Sequence, residues 1–271
     1  MIIWLIGCAL MAGAYAIADS YYKNTLTERT EIHIQQAVEL VKTRFKKYEY
    51  GLLSTRSAIQ TTENHDITRE HFERYIASLN VAKYYTGARG FGFIRRVSVE
   101  QEEDFVVAAR NDGAPGFKVH TLSPHNKDRF IVQYIYPQLS NDESIGLDIA
   151  SESNRRAAAI SASISGEATL SAPITLVQEE GKERRGFLIL LPIYSTPLLD
   201  NLVEKRLQST IGWPLLHLSS MMYCLTLPQR FLTLTLPLLI KLKTFLFLNL
   251  SMAKIKLITI LNQSFIVKLS L

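Results

Sequence analysis

Residues 166–194 read GEATLSAPITLVQEEGKERRGFLILLPIY. Two runs of β-branched and large apolar residues, 169–177 and 186–194, flank the charged stretch at 178–185. That pattern predicts two antiparallel strands joined by a solvated hairpin tip. The carboxylates in the tip are read as surface charge, not as a catalytic pair. Just upstream, Ser151 or Ser153 is placed to cap a helix through Ala157, Ala158, Ala159 and Ile160, which Gly166 ends. Before it, Phe130-Ile-Val-Gln-Tyr-Ile-Tyr136 predicts a strand over 128–136 that stops at Pro137, with another strand over 117–121. Asn141-Asp-Glu-Ser-Ile-Gly146 is a polar loop.

Further toward the N-terminus, Gly90-Phe-Gly-Phe-Ile-Arg-Arg-Val97 predicts a strand with glycines where backbones approach closely. Gly90 and Gly92 start a GxGxxG pattern, but the third glycine is absent and no helix opens there, which excludes phosphate binding. Ser98 is placed to cap a helix over 99–110, and Thr68 or Asp66 one over 68–80. Helices, strands, a helix and a closing hairpin in this order predict an α+β fold with a mainly antiparallel sheet, and a small-molecule pocket between sheet and helices.

Between residues 19 and 62 there is no proline and one glycine, Gly51. Ile34, Val38, Val41, Phe45, Tyr48, Leu52 and Ile59 repeat at heptad-like spacing, so a long amphipathic stalk helix is expected. Its apolar stripe either packs on the domain behind it or forms the seam of a parallel homodimer. Residues 2–18 are uncharged and apolar, with Trp4 and Tyr15 near the two ends, and predict a transmembrane anchor. A cleaved signal peptide ending at Ala16-Ile17-Ala18 is the alternative. In either case residue 19 onward is exported.

The net charge of +5 does not mark a nucleic-acid binder. Every one of the 25 acids lies at or before Glu204, while Arg230, Lys241, Lys243, Lys254, Lys256 and Lys268 follow Trp213. The first 213 residues therefore hold 24 of the 30 basic residues against 25 acids and offer no basic footprint for phosphates. Cys8 and Cys224 form no CxxC, and His65, His71, His120 and His125 lack metal-ligand spacing. No cofactor is implied. No GxSxG or HExxH appears, so the chain is not read as an enzyme; an exported envelope hydrolase or binding protein is the alternative.

From Tyr134 to Tyr194 the chain resembles the core of a CHASE domain, the extracytoplasmic sensor of many histidine kinases and of diguanylate and nucleotide cyclases. The resemblance lies in Tyr134-Ile-Tyr-Pro137, Gly146-Leu-Asp148, Arg155-Arg-Ala-Ala158, Gly166-Glu-Ala-Thr-Leu-Ser-Ala-Pro173 and Gly186-Phe-Leu-Ile-Leu-Leu-Pro-Ile-Tyr194. Upstream, Gly90 to Val97 and Glu102 to Phe105 are similar to the family's first strand and helix, so about half the chain is covered, residues 75–213. The resemblance implies an α+β fold in which a long N-terminal membrane and stalk helix leads into a PAS-like domain. It also implies an unidentified small-molecule ligand whose binding is signalled through the inner membrane.

In the plant cytokinin receptors of this family, an Asp in the stretch matching Leu147-Asp148-Ile149 holds the ligand. A Thr there corresponds to Ser171, and another, in the last strand, to Leu190. Leu190 replaces a hydroxyl, which argues against a purine held in the same way. Asp148 is read either as an acceptor for ligand N–H groups or as a cap for the following turn. Ser171 either meets the ligand or bonds locally on its strand. Tyr134 and Tyr136 either pack or bind. Arg155 and Arg156 are read as a solvated helix face.

The expected divisions are an anchor at 1–18, a stalk at 19–65, a sensor at 66–213 and an atypical tail at 214–271. The tail contains 18 Leu and no Asp, Glu or Gly, and neither strand alternation nor a helical stripe persists in it. Residues 231–250 suggest a second membrane helix, against which Pro237, Lys241 and Lys243 count. The tail reads as the frame-shifted or degenerate product of a longer gene. On that reading the last strand of the sensor, a second membrane helix and an output domain would all be missing.

Overall fold

The computed structural model describes residues 2–138, 141–176, 184–195 and 203–219. Helix α1 runs from Ile2 to Gln60 without interruption. At 1.5 Å per residue it is roughly 90 Å long. Val38, Tyr48, Leu52 and Ile59 of the expected stripe are buried, and Val41 and Phe45 pack beside them against the chain's own sheet. The side chain of Ile34 lies outside the described residues. Among the described residues no helix is long and apolar enough to cross a membrane.

Two short helices follow, α2 (Arg69–Ser78) and α3 (Val81–Tyr84). Thr68 caps α2, its side chain accepting from the His71 amide at 3.4 Å. Helix α4 (Glu102–Asn111) is preceded by a 3₁₀ turn at Val99–Gln101, and Ser98 makes no side-chain cap there. Helix α5 (Ser153–Ser165) ends at Gly166 in the left-handed conformation, as expected. Its cap is neither serine. Glu152 accepts from the amides of Asn154 and Arg155 at 2.9 and 3.0 Å, a carboxylate serving the first-turn donors. Helix α6 (Val203–Ser209) leads into the last strand.

The strands are β1 (Ala88–Val97), β2 (His120–Thr121), β3 (Arg129–Tyr136), β4 (Leu147–Asp148), β5 (Thr169–Leu170), β6 (Ile174–Leu176), β7 (Arg184–Leu190), β8 (Ile193–Tyr194) and β9 (Thr210–Ser219). They form one sheet in the order β2-β4-β3-β1-β9-β7-β5, with β6 also on β7 and β8 on β9. Every pair is antiparallel except β2–β4. The α+β class with a mainly antiparallel sheet is therefore present. The expected run 169–177 is broken into β5 and β6, and the run 117–121 shrinks to β2. Most of the charged tip, residues 178–183, lies outside the described residues.

The last strand is not missing. β9 continues past Trp213 to Ser219 and lies between β1 and β7. The absence of alternation there has a structural cause: Leu216 and Leu218 face the stalk, while Trp213 and Leu215 face α5. A central strand buried on both faces needs apolar residues at every position. Pro214, which has no amide to donate, sits where β7 ends and β8 has not begun, and its carbonyl accepts from the Leu191 amide at 3.2 Å. Residues 220–271, including the suggested second membrane helix, lie outside the described residues.

The sheet is sandwiched. On one face Phe91, Phe93, Tyr134, Phe187 and Ile189 pack with α1 and α2. On the other, Ile94, Phe130, Val132, Leu188, Leu190 and Trp213 pack with Ala158, Ala159 and Ala162 of α5. Between β1 and β3 the register shifts at Phe93/Ile94, so Gln133 is the extra residue of a β-bulge. The bulge inverts the alternation of β3. Phe130 and Val132 face α5, yet Tyr134 faces the stalk.

Candidate functional site

A cavity of about 250 Å³ opens on the α5 face of the sheet. Its apolar wall comes from Val132 and Ile135 of β3, Leu147 of β4 with Ile149 after it, Ile174 of β6, Leu188 of β7 and Leu215 of β9. Exposed Leu122, His120 and Glu143 form the mouth. Gly146 holds the mouth in shape: its φ is +78° and a Cβ there would lie 2.0 Å from the Lys118 carbonyl oxygen.

Two buried polar residues border this apolar space, Arg155 in the first turn of α5 and His217 on β9, each 5% exposed. The Arg155 Nε lies 3.8 Å from the Glu152 carboxylate. Burial lowers the Arg155 pKa, and the attraction of Glu152 partly offsets that. His217 Nδ1 lies 3.2 Å from Asn141 Oδ1. Its Nε2 is buried and has no hydrogen-bond partner among the described residues. Burial, then the charges of Arg89 and Arg155, push the imidazole pKa down to about 4, so the ring is neutral near pH 7.

None of the five residues expected to bind ligand lines this cavity. Asp148 is fully buried on the other side of β4 from Leu147 and is a structural acceptor. Its Oδ1 takes the amides of Phe130 and Ala150, both at 2.9 Å, and its Oδ2 takes His125 Nε2 at 2.7 Å, with Arg129 Nη1 at 3.7 Å. Ser171 bonds locally, accepting from the Leu188 amide at 3.0 Å and donating to the Ala172 carbonyl at 2.8 Å. Leu190 is buried in the α5-side core.

Tyr134 lies on the stalk side, where its hydroxyl meets Asp112 at 2.6 Å and the Ile67 carbonyl at 3.0 Å. Burial, and then the bond to Asp112, raise its pKa. Tyr136 packs at the edge of the same stalk-side cluster. Arg155, read from sequence as solvated, is buried, and His217 falls in the stretch read as tail. Among the described residues no group of His, Cys, Asp and Glu is placed to hold a metal ion.

No curated protein matches the chain. The family model for the CHASE domain matches residues 65–223. That span covers more than half of the sequence, takes in the whole sheet and both bordering residues of the cavity, and extends past the boundary expected at Trp213. The chain belongs to the CHASE domain family, whose domain is an extracytoplasmic sensory module and not a catalytic one.

Proposed function

We propose that this chain is the ligand-binding sensor of a membrane-anchored signalling receptor, itself without enzymatic activity. The cavity carries the reading: an apolar space with few polar groups at its border is the usual form of a small-molecule site. At about 30 Å³ per water it has room for roughly eight waters, which suits a small ligand. Anchoring is assigned to residues 2–18, where Trp4, Met11, Tyr15 and Ile17 are exposed on α1 and lipid would cover them. The sensor would then lie outside the inner membrane, with α1 carrying the binding event toward it. A second copy docking along the stalk would meet the helix away from Val38, Tyr48, Leu52 and Ile59, which the sheet already covers.

The test is thermal unfolding of the full chain in mild detergent against a panel of small anionic, cationic and neutral compounds. At least one compound raises Tm, since ligand that binds only the folded state stabilises it by mass action. The rise disappears in Leu122→Trp, which obstructs the mouth without touching the core. A panel in which no compound raises Tm would remove the receptor reading.

A further inference from the structure

The polar atoms of the cavity define what a ligand must carry. The Asn141 side-chain amide donates to the carbonyls of Pro137 and Arg89, at 2.8 and 3.3 Å. Those two bonds fix which end of the amide is nitrogen and present Oδ1 to His217. An oxygen cannot donate, so His217 Nδ1 must carry the proton of the neutral ring. Nε2 is then a bare lone pair on a side chain 5% exposed that borders the cavity, and it has no partner among the described residues. A buried acceptor left unsatisfied is unfavourable, and a donor group on a ligand relieves it.

The second requirement is charge. Arg155 borders the cavity, and both Arg155 and Arg89 are close enough to act electrostatically on His217. The acids nearby are Glu152, which caps α5 beside Arg155, and Glu143, exposed at the mouth. A guanidinium presents donors in the fork that a carboxylate matches. An ammonium brought to Nε2 would lie in the field of two guanidinium groups, so a neutral donor is favoured over a cationic one. The apolar wall takes the remainder of the molecule.

We infer that the cavity selects a small carboxylic acid that also carries a hydroxyl and a short apolar body, the class of branched hydroxy acids. The carboxylate meets Arg155, the hydroxyl donates to His217 Nε2, and the branched carbons lie against Leu188 and Leu215. This rests on the receptor reading and specifies the ligand of the same site.

Calorimetry on the full chain in mild detergent with four matched probes tests it: 2-hydroxy-3-methylbutanoate, 3-methylbutanoate, valine and 2-hydroxy-3-methylbutanamide. The hydroxy acid binds tightest. Removing the hydroxyl or neutralising the carboxylate weakens binding by at least about tenfold, because the first leaves His217 Nε2 without a donor and the second removes the charge that the Arg155 guanidinium attracts. His217→Phe keeps a buried aromatic ring and brings the hydroxy acid and its deoxy analogue to within about twofold. Arg155→Met does the same for the acid and its amide, so either variant alone suffices if the other does not fold. The ring ¹⁵N spectrum of His217 in the unaltered chain shows Nε2 unprotonated and shifts when the hydroxy acid binds.

Equal binding of 3-methylbutanoate and its hydroxy analogue, or a protonated Nε2 at pH 7, overturns the inference. If only neutral or cationic compounds of the wider panel raise Tm, the ligand class is wrong and the receptor reading stands. If no compound does, both fall.

Discussion

Leu188 lines the cavity, and Ile189, the next residue of β7, is buried on the opposite face in the cluster that contains Leu52 and Ile59 of the stalk helix. The same exchange of faces occurs on β9 between Leu215 and Leu216. One strand thickness thus separates ligand from stalk. A ligand touching Leu188 and Leu215 presses on backbone whose alternate side chains hold α1. Packed interiors transmit such displacements because they have no slack to absorb them. Binding of 2-hydroxy-3-methylbutanoate is therefore expected to slow amide exchange in residues 48–59 of α1 as well as in β7 and β9. Protection confined to the strands would show that the sheet does not couple to the stalk.

Ile189→Ala removes buried methyls at that junction. The expected loss is about 2–5 kcal/mol in urea unfolding, the range for a core Ile truncation. Because Ile189 does not border the cavity, the affinity of the surviving folded protein for the hydroxy acid changes by less than about threefold. A large affinity loss with intact stability would mean that the two faces are not divided as described.

Tyr134→Phe separates packing from binding at a residue for which the sequence left both open. The substitution keeps the ring between Phe72 and Phe93 and removes the hydroxyl that bonds Asp112 and the Ile67 carbonyl. Stability is expected to fall by about 1–3 kcal/mol, since buried partners are left unmatched. Ligand affinity stays within about twofold. The reverse outcome, full stability with lost binding, would return Tyr134 to the site.

The sequence made the helix ended by Gly166 legible because a left-handed C-terminus favours glycine, and β3 legible because β-branched and aromatic residues crowd it. It did not reveal the bulge at Gln133. Strict alternation would put Tyr134 and Tyr136 on the same face as Val132, and one inserted residue moves both to the stalk side. Arg155 misled because a charged residue in a helix is ordinarily solvated; only the approach of the sheet buries it. His217 was hidden for another reason. A strand covered on both faces has no period to read, so β9 looked like the start of a patternless tail.

Asp148→Asn probes the buried carboxylate that ties β4 to β3. Asp148 takes two backbone amides and the His125 ring, with Arg129 close by, and Arg129 also donates to Glu102 at 2.9 Å. The amide replacement keeps the shape but turns one acceptor into a donor facing other donors. Breaking a buried, charge-assisted network in this way is expected to cost roughly 3–5 kcal/mol. His125→Gln, at a side chain that is 14% exposed, costs less. Denaturation midpoints of the two variants at pH 7 check the order. A fully stable Asp148→Asn chain would mean that the carboxylate is not structural, and would restore it as a ligand acceptor.

The neutral His217 ring gives the apo protein a defined acid sensitivity. Its folded pKa, about 4, lies below the ordinary histidine value of 6.5, because the ring is buried and faces Arg89 and Arg155. Between these two values the unfolded chain binds a proton that the folded chain does not. Stability therefore rises with pH across that window: the contribution is fully present above about pH 6.5, is lost as pH falls toward 4, and changes no further below it. The difference in pKa corresponds to a loss on the order of 3 kcal/mol. Other groups titrate over the same range, so the measurement is a comparison. Urea unfolding of the unaltered chain and of His217→Phe at intervals from pH 7.5 to 4 should show the two curves converging as pH falls, with the unaltered chain losing more. Parallel curves would mean that the ring titrates in the folded protein as it does in the unfolded chain, so that burial and the two guanidinium groups do not hold it neutral below pH 6.5.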